Sequence, residues 1–327
     1  MSEHSRTARN RPAVPPGLLV VDKPAGMTSH DVVSRVRRIM GTRKVGHAGT
    51  LDPMATGVLV LGLERATKLL GHLALDTKAY LATIRLGAAT STDDAEGELL
   101  SQADPAGVTE QAIRDGIAEL TGDIQQVPSS VSAVKVNGKR AYELARAGKD
   151  VELAARPVTV SRFDLLAVRE PEAVTAEPDA AEPDAAAAEP DAWPTRMIEL
   201  DVIVECSSGT YVRALARDLG ARLGVGGHLG QLRRTRVGPF GLATARTLER
   251  LEAEPGLSMD LDQAIATAFA RHDTDAGTVR ALTHGQTIPA TGVAGTCGVF
   301  GPDGRAVALV QDEGRTARPV LVLTPAG

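Results

Sequence analysis

Apolar residues fall in short blocks whose spacing alternates between strand-like and helix-like periods. Leu18 to Val21 predicts a strand, turned by Asp22-Lys23-Pro24-Ala25-Gly26. Thr28 then caps a helix, with Asp31 three residues on as the other half of a capping box. Val32, Val33, Val36, Ile39 and Met40 recur there at helical spacing. Val58 to Leu63 is a continuous apolar run, a buried strand or the start of a helix; periodicity does not separate the two. Tyr80 to Leu86 and Val158 to Leu166 read as strands, and Val108 to Leu120 as an amphipathic helix. Gly122 to Pro128 reads as an irregular connector, and Tyr142 to Arg146 begins another helical piece. Met197 to Cys206 alternates clearly as a strand, Ser207-Ser208-Gly209 turns, and Tyr211 to Leu223 predicts a helix. Gly224 to Gly230 reads as a flexible loop before the apolar and basic Leu232 to Val237. From about 275 the pattern becomes short strands and turns: Gly292 to Phe300, Ala306 to Gln311 and Arg318 to Val322.

The 327 residues, 43% of them hydrophobic, allow one large domain and a small one. No apolar run approaches the roughly 18 residues that span a bilayer. Residues 1–16 are polar and basic with no apolar segment behind them, so a disordered tail is expected rather than a signal peptide. Cys206 and Cys297 lie far apart, which gives no disulfide framework or zinc site and makes a reducing cytoplasm the expected location. Residues 168–194 are low in complexity, with Ala-Glu-Pro-Asp-Ala starting at 176, 181 and 188, and predict a mobile acidic insertion. The net charge of −5 argues against a nucleic-acid partner at first sight, but residues 169–191 alone carry −7 and the remainder +2. Three basic clusters then stand out: Arg35 to Lys44, Lys135 to Arg146 and Arg213 to Arg236. Each is a solvated helix face or part of a phosphate-binding surface.

The densest chemistry lies in Gly46-His47-Ala48-Gly49-Thr50-Leu51-Asp52-Pro53-Met54-Ala55-Thr56-Gly57. Glycines permit close backbone approach, and Pro53 biases Asp52 to an extended conformation. Asp52 is therefore a carboxylate on a rigid loop before a buried element, either a turn cap or a catalytic group. Among motifs, no dinucleotide-binding glycine loop, P-loop or Cys/His metal cluster occurs.

That stretch resembles the catalytic loop of the TruB type of tRNA pseudouridine synthase. Further resemblances follow in the family's order: Leu19 to Ser29, Lys78-Ala79-Tyr80, Arg85-Leu86-Gly87, Pro128 to Lys135, and Cys206 to Arg213. Together they span roughly residues 17 to 245. The resemblance implies isomerisation of uridine 55 in the T loop of tRNA, without metal or cofactor. It implies an α+β fold: a mixed, largely antiparallel sheet flanked by helices, with a small β-rich C-terminal domain. The expected division is a tail at 1–16, a catalytic domain at 17–255 holding the insertion, and a PUA-like RNA-binding domain at 275–327. It implies a monomer acting on the T arm of tRNA, with no protein partner and no membrane.

By resemblance Asp52 is the catalytic aspartate, and Arg213 is the arginine that pairs with it and keeps it charged. Tyr80 matches the tyrosine that stacks on the flipped uracil, and stacking returns about 1–3 kcal/mol of the unstacking penalty. His47 contacts RNA where the base leaves the loop, Tyr211 lines the uracil pocket, Lys23 stabilises the Asp22–Pro24 turn, and Asp94 is a pocket or loop residue. Two or three acids in the loop Thr90 to Gly97 (Asp93, Asp94 and Glu96) suggest a cation site by type, which the resemblance to a metal-free enzyme disfavours.

Overall fold

The apolar block at Leu18 forms β1 (Gly17–Lys23), with six of its seven residues buried. It belongs to a computed structural model that describes residues 14–74, 77–129, 135–136, 139–140, 153–170 and 196–324. The chain divides into two units, 1–75 with 236–327, and 76–235.

In the first unit β1 leads to α1 (Ser29–Met40), β2 (Val45–Ala48), β3 (Thr56–Leu63) and a short α2 (Leu70–Leu73). The expected capping box is present: Thr28 Oγ1 accepts from the Asp31 amide, and Asp31 returns a carboxylate to the Thr28 amide. Gly41, at φ 71°, closes the helix in the left-handed conformation. The run from Val58 is a strand, buried at every position from Gly57 to Leu63. Both faces of β1 and β3 are covered. Leu19, Val21, Leu59 and Leu61 pack with Val32, Val33 and Val36 of α1. Leu18, Val20, Val58 and Val60 pack with Phe240, Ile265, Phe300 and Leu309. Each such side chain contributes about 1.5–3 kcal/mol, and two-sided burial removes the alternation that marks a strand. The register sets Lys23 opposite Gly57, while β2 joins β3 with Ala48 opposite Val60. The loop 49–55 therefore sits at the end of β3 to which β1 delivers Lys23.

The second unit contains β4 (Lys78–Leu86), β5 (Ala88–Thr90), β6 (Leu99–Gln102), α3 (Glu110–Glu119), β7 (Gly122–Gln126), β8 (Lys135–Val136), β9 (Lys139–Arg140), β10 (Arg156–Arg169), β11 (Ile198–Cys206), α4 (Val212–Arg222) and most of β12 (Gly227–Val237). Its main sheet runs β12-β4-β11-β10-β7. Two expectations are corrected here. Gly122 to Gln126 is a strand, not a connector; among the described residues it pairs with β10 at the sheet end, where Asp123 and Gln125 face solvent while Gln126 is buried. Gly227 already belongs to β12 rather than to a flexible loop. A Cβ on Gly220 of α4 would lie 2.1 Å from the Gly227 nitrogen, so both glycines serve close backbone packing.

The chain returns to the first unit through β13 (Phe240–Gly241), α5 (Leu248–Ala253), β14 (Met259–Asp260), α6 (Leu261–Ala268), β15 (Ala270–Asp273), α7 (Ala276–Thr283), β16 (Ile288–Pro289), β17 (Thr296–Phe300), β18 (Ala306–Glu313) and β19 (Thr316–Val322). The last strands form a five-stranded sheet, β15-β17-β18-β19-β16, antiparallel except for β15 on β17. The three helices were not anticipated, although Thr247, Asp260 and Asp275 each cap one. The expected α+β class with a β-rich C-terminal part is what the structure has. Most of the basic tail and of the acidic insertion, the helical piece at Tyr142 and the centre of the Pro128–Lys135 stretch lie outside the described residues.

Candidate active site

In the first unit Asp52 lies on the loop between β2 and β3, half-buried between buried Leu51 and exposed Pro53. The loop is held from both sides. Lys23, fully buried, donates its ammonium to the carbonyls of Pro24 (2.9 Å), Met27 (2.7 Å) and Pro53 (3.1 Å). The Gly26 amide also donates to Pro53 O, at 2.9 Å. Ser29 Oγ accepts from the Leu51 amide at 2.9 Å and donates to the Leu51 carbonyl at 3.1 Å. His47, in β2, meets His30 edge-on, with ring centroids 5.5 Å apart. Lys23 thus bonds within its own turn and also reaches across to the Asp52 loop.

The second unit holds Tyr80, Asp94, Tyr211 and Arg213. Tyr80 is buried on β4, opposite Val204 of β11. The turn after β11, with Gly209 at φ 89°, starts α4 and puts Arg213 in its first turn. Tyr211 occupies the N-cap and is clamped by the side-chain amide of Gln126: Tyr211 N donates to Oε1 (2.8 Å), and Nε2 donates to Tyr211 O (3.1 Å). Arg213 is buried; its Nη1 donates to Thr92 O at 2.8 Å and to Asp94 Oδ2 at 3.2 Å. Asp94 Oδ1 also accepts from Thr92 Oγ1 and the Glu96 amide. The loop Thr90 to Gly97 is therefore an anchor for an arginine. No cluster of metal-ligand type occurs among the described residues.

Sequence reasoning missed a second tier behind this pair. Asp93 accepts from Ser129 Oγ and pairs with Arg217 at 3.1 Å, while Arg217 Nη2 donates to Val127 O at 2.7 Å. Burial pushes the Asp93 carboxyl above its ordinary value, against the opposing pull of Ser129 and the arginines. Arg217 lies one helical turn beyond Arg213, and that spacing was the available signal. Ser29 and Gln126 gave none, because a serine near a helix start reads as a cap and a lone glutamine as surface. His228, fully buried with Nδ1 2.9 Å from Ala88 O, has its pKa lowered by burial. The Cys206 thiol, beside the turn, is pushed up to about 11 by burial and stays an inert thiol.

The basic clusters divide. Arg35 pairs with Glu252, Lys44 with Glu64 at 3.5 Å, and Arg37 donates to Val45 O at 3.0 Å. Arg38 and Arg43 remain exposed, outside the described ion pairs. Arg213 and Arg234 are buried, and Arg217 and Arg222 pair with Asp93 and Glu119. The third cluster is thus largely internal wiring rather than a phosphate-binding face. No described helix is long and apolar enough to cross a membrane.

A family signature described as TruB family pseudouridylate synthase (N terminal domain) matches residues 37–212. Two C-terminal signatures match next: tRNA pseudouridylate synthase B C-terminal domain over 213–266, and tRNA Pseudouridine synthase II, C terminal, over 269–324. The chain is 56% identical to the tRNA pseudouridine synthase B of Rhodococcus jostii, over 98% of this chain and 99% of that protein. The protein of the same name from Mycobacterium tuberculosis H37Rv is 52% identical over 96% and 98%. Among solved structures, a chain of a Cbf5-Nop10-Gar1 complex superposes with a TM-score of 0.65 at 24% identity, covering 94% of this chain and 85% of that one. That likeness establishes the fold.

Proposed function

The chain belongs to the TruB family of pseudouridylate synthases, and on that premise we propose that it isomerises uridine 55 in the T loop of tRNA to pseudouridine. The reaction breaks the N1–C1′ bond, turns the uracil and joins C5 to C1′; the C5 proton leaves and N1 gains one. The observation that carries the proposal is Asp52, gripped on both flanks in a chain 52–57% identical to proteins named tRNA pseudouridine synthase B.

In this proposal Asp52 is the catalytic carboxylate. Arg213, anchored by Asp94, supplies the positive charge that keeps it ionised. Tyr80 stacks on the flipped uracil, Tyr211 lines its pocket, and His47 meets the RNA where the base leaves the loop. Lys23 supports the loop. Residues 17–255 form the catalytic domain and 275–327 a small RNA-binding, PUA-like domain. The enzyme works in the cytoplasm as a monomer without a protein partner.

The test uses a T-arm hairpin with tritium at C5 of its loop uridines, incubated with the wild type and with Asp52→Asn. Tritium release by the wild type alone, with pseudouridine recovered, supports the proposal. Binding without release by either protein refutes the activity. Release that survives Asp52→Asn refutes the choice of carboxylate.

A further inference from the structure

The segment Lys23 to Ser29 grips the peptide units on either side of Asp52. Downstream, Pro53 O takes the Lys23 ammonium and the Gly26 amide. Upstream, a single atom makes both bonds: Ser29 Oγ accepts from Leu51 N and donates to Leu51 O. Ser29 is 1% exposed and Leu51 3%, so water does not compete for these bonds. A hydroxyl satisfies an amide and a carbonyl of the same residue because it is donor and acceptor at once. Ser29 also stands in the first turn of α1, whose cap and apolar face are fixed independently by Thr28, Asp31, Val32, Val33 and Val36. A rigid helix end therefore sets the backbone one residue before the carboxylate.

We propose that Ser29 is a positioning residue for the reaction: its hydroxyl fixes the backbone of Leu51 and thereby aims the Asp52 carboxylate. This rests on the assignment of Asp52 as the catalytic group. Ser29 touches no substrate, so its loss acts on the chemical step and leaves RNA affinity alone. A displacement of about 1 Å at a reacting group lowers a rate by about 100-fold.

The experiment compares the full-length wild type with Ser29→Ala, Ser29→Thr and Thr28→Ala. Thr28→Ala weakens the same helix turn at its cap without touching the loop. Single-turnover tritium release is measured at saturating T-arm hairpin, with hairpin affinity and amide exchange at Leu51 followed in parallel. Ser29→Ala is expected to lose about 100-fold in rate, to keep its affinity and to exchange Leu51 N–H faster. Ser29→Thr, which keeps the hydroxyl, restores rate and protection. Thr28→Ala lowers thermal stability and leaves the rate near wild type. An unchanged rate in Ser29→Ala overturns the inference, as does an equal rate loss in Thr28→Ala. Should Ser29→Ala not fold, Ser29→Cys, with a weak donor and acceptor, is held to the same criteria. A wild type that releases no tritium defeats the proposed function; the Leu51 exchange then still reports whether the clamp exists.

Discussion

Replacing Asp94 by Asn tests the anchor of Arg213 with little change of volume. The amide keeps an oxygen for Thr92 Oγ1 and the Glu96 amide but loses the charge facing the guanidinium. Both side chains are only 6% exposed, so solvent does not replace the missing partner. Removing one member of a buried ion pair costs about 3–5 kcal/mol. The pair includes an Nη1–Oδ2 approach of 3.2 Å, and Thr92 O stays as another acceptor at 2.8 Å. The expected loss is therefore at the lower end, about 3 kcal/mol. The assay is urea unfolding of the wild type, Asp94→Asn, Arg213→Met and the double variant. Asp94→Asn takes the carboxylate charge from Arg213, Arg213→Met takes the guanidinium from Asp94, and the double variant removes both members of the pair at once. Its loss should fall short of the sum of the singles by about 2 kcal/mol. A loss under about 1 kcal/mol for Asp94→Asn, or strict additivity in the cycle, refutes the claim that the pair is an anchor.

Three further outcomes follow from the same geometry. Lys23→Met, which removes an ammonium serving three carbonyls, should lower stability by about 2–4 kcal/mol in urea and raise amide exchange in the loop 49–55; an unchanged midpoint would dismiss the brace. Asp93 carries a folded pKa raised above 3.8 by burial, so the folded state holds its proton more tightly. Its contribution to stability is complete below 3.8 and is lost as pH rises through the folded value. The stability of the wild type relative to Asp93→Asn should accordingly fall as pH rises above 3.8 toward neutrality; a rising difference would reverse the assignment. Arg38→Gln with Arg43→Gln should flatten the salt dependence of hairpin binding by about 0.7 in log K per log salt for each phosphate no longer neutralised, and an unchanged slope would remove Arg38 and Arg43 from any RNA-facing surface.

What could be read from the sequence depended on whether one face of an element or both met solvent. Met197 to Cys206 was recognisable because alternation survives in β11. In β3 both faces are covered, so the run from Val58 was apolar throughout and its type was settled only by pairing. In β7 the opposite held: an edge strand of Gly, Asp, Ile and Gln offered too little apolar signal. The same contrast governs the site. Asp52, Tyr80 and Arg213 are visible as residue types in recognisable stretches. Their supports are not, because Ser29 acts across 22 residues and Arg213 meets Asp94 across 119. Nothing in local periodicity encodes such a distance.

Once the pairings are known, the acidic doublet has a geometric explanation. In an extended chain, consecutive side chains point to opposite faces, so Asp93 and Asp94 could not both reach one helix. Arg213 and Arg217, four apart on α4, present their guanidinium groups on one face. Asp93 reconciles the two patterns by adopting φ 60°, one of two non-glycine residues with positive φ among those described. The left-handed step turns the doublet so that Asp94 meets Arg213 and Asp93 meets Arg217. Asp and Asn tolerate this conformation, whereas a β-branched side chain does not. A substitution at 94 therefore removes one ion pair. A valine at 93 removes the pair with Arg217 and also displaces the backbone that carries Asp94, so Asp93→Val should disturb the Asp94–Arg213 pair as well. Asp93→Asn keeps the turn and spares Arg213, and activity that separates those two variants would identify the backbone turn, not the carboxylate, as what residue 93 contributes to the site.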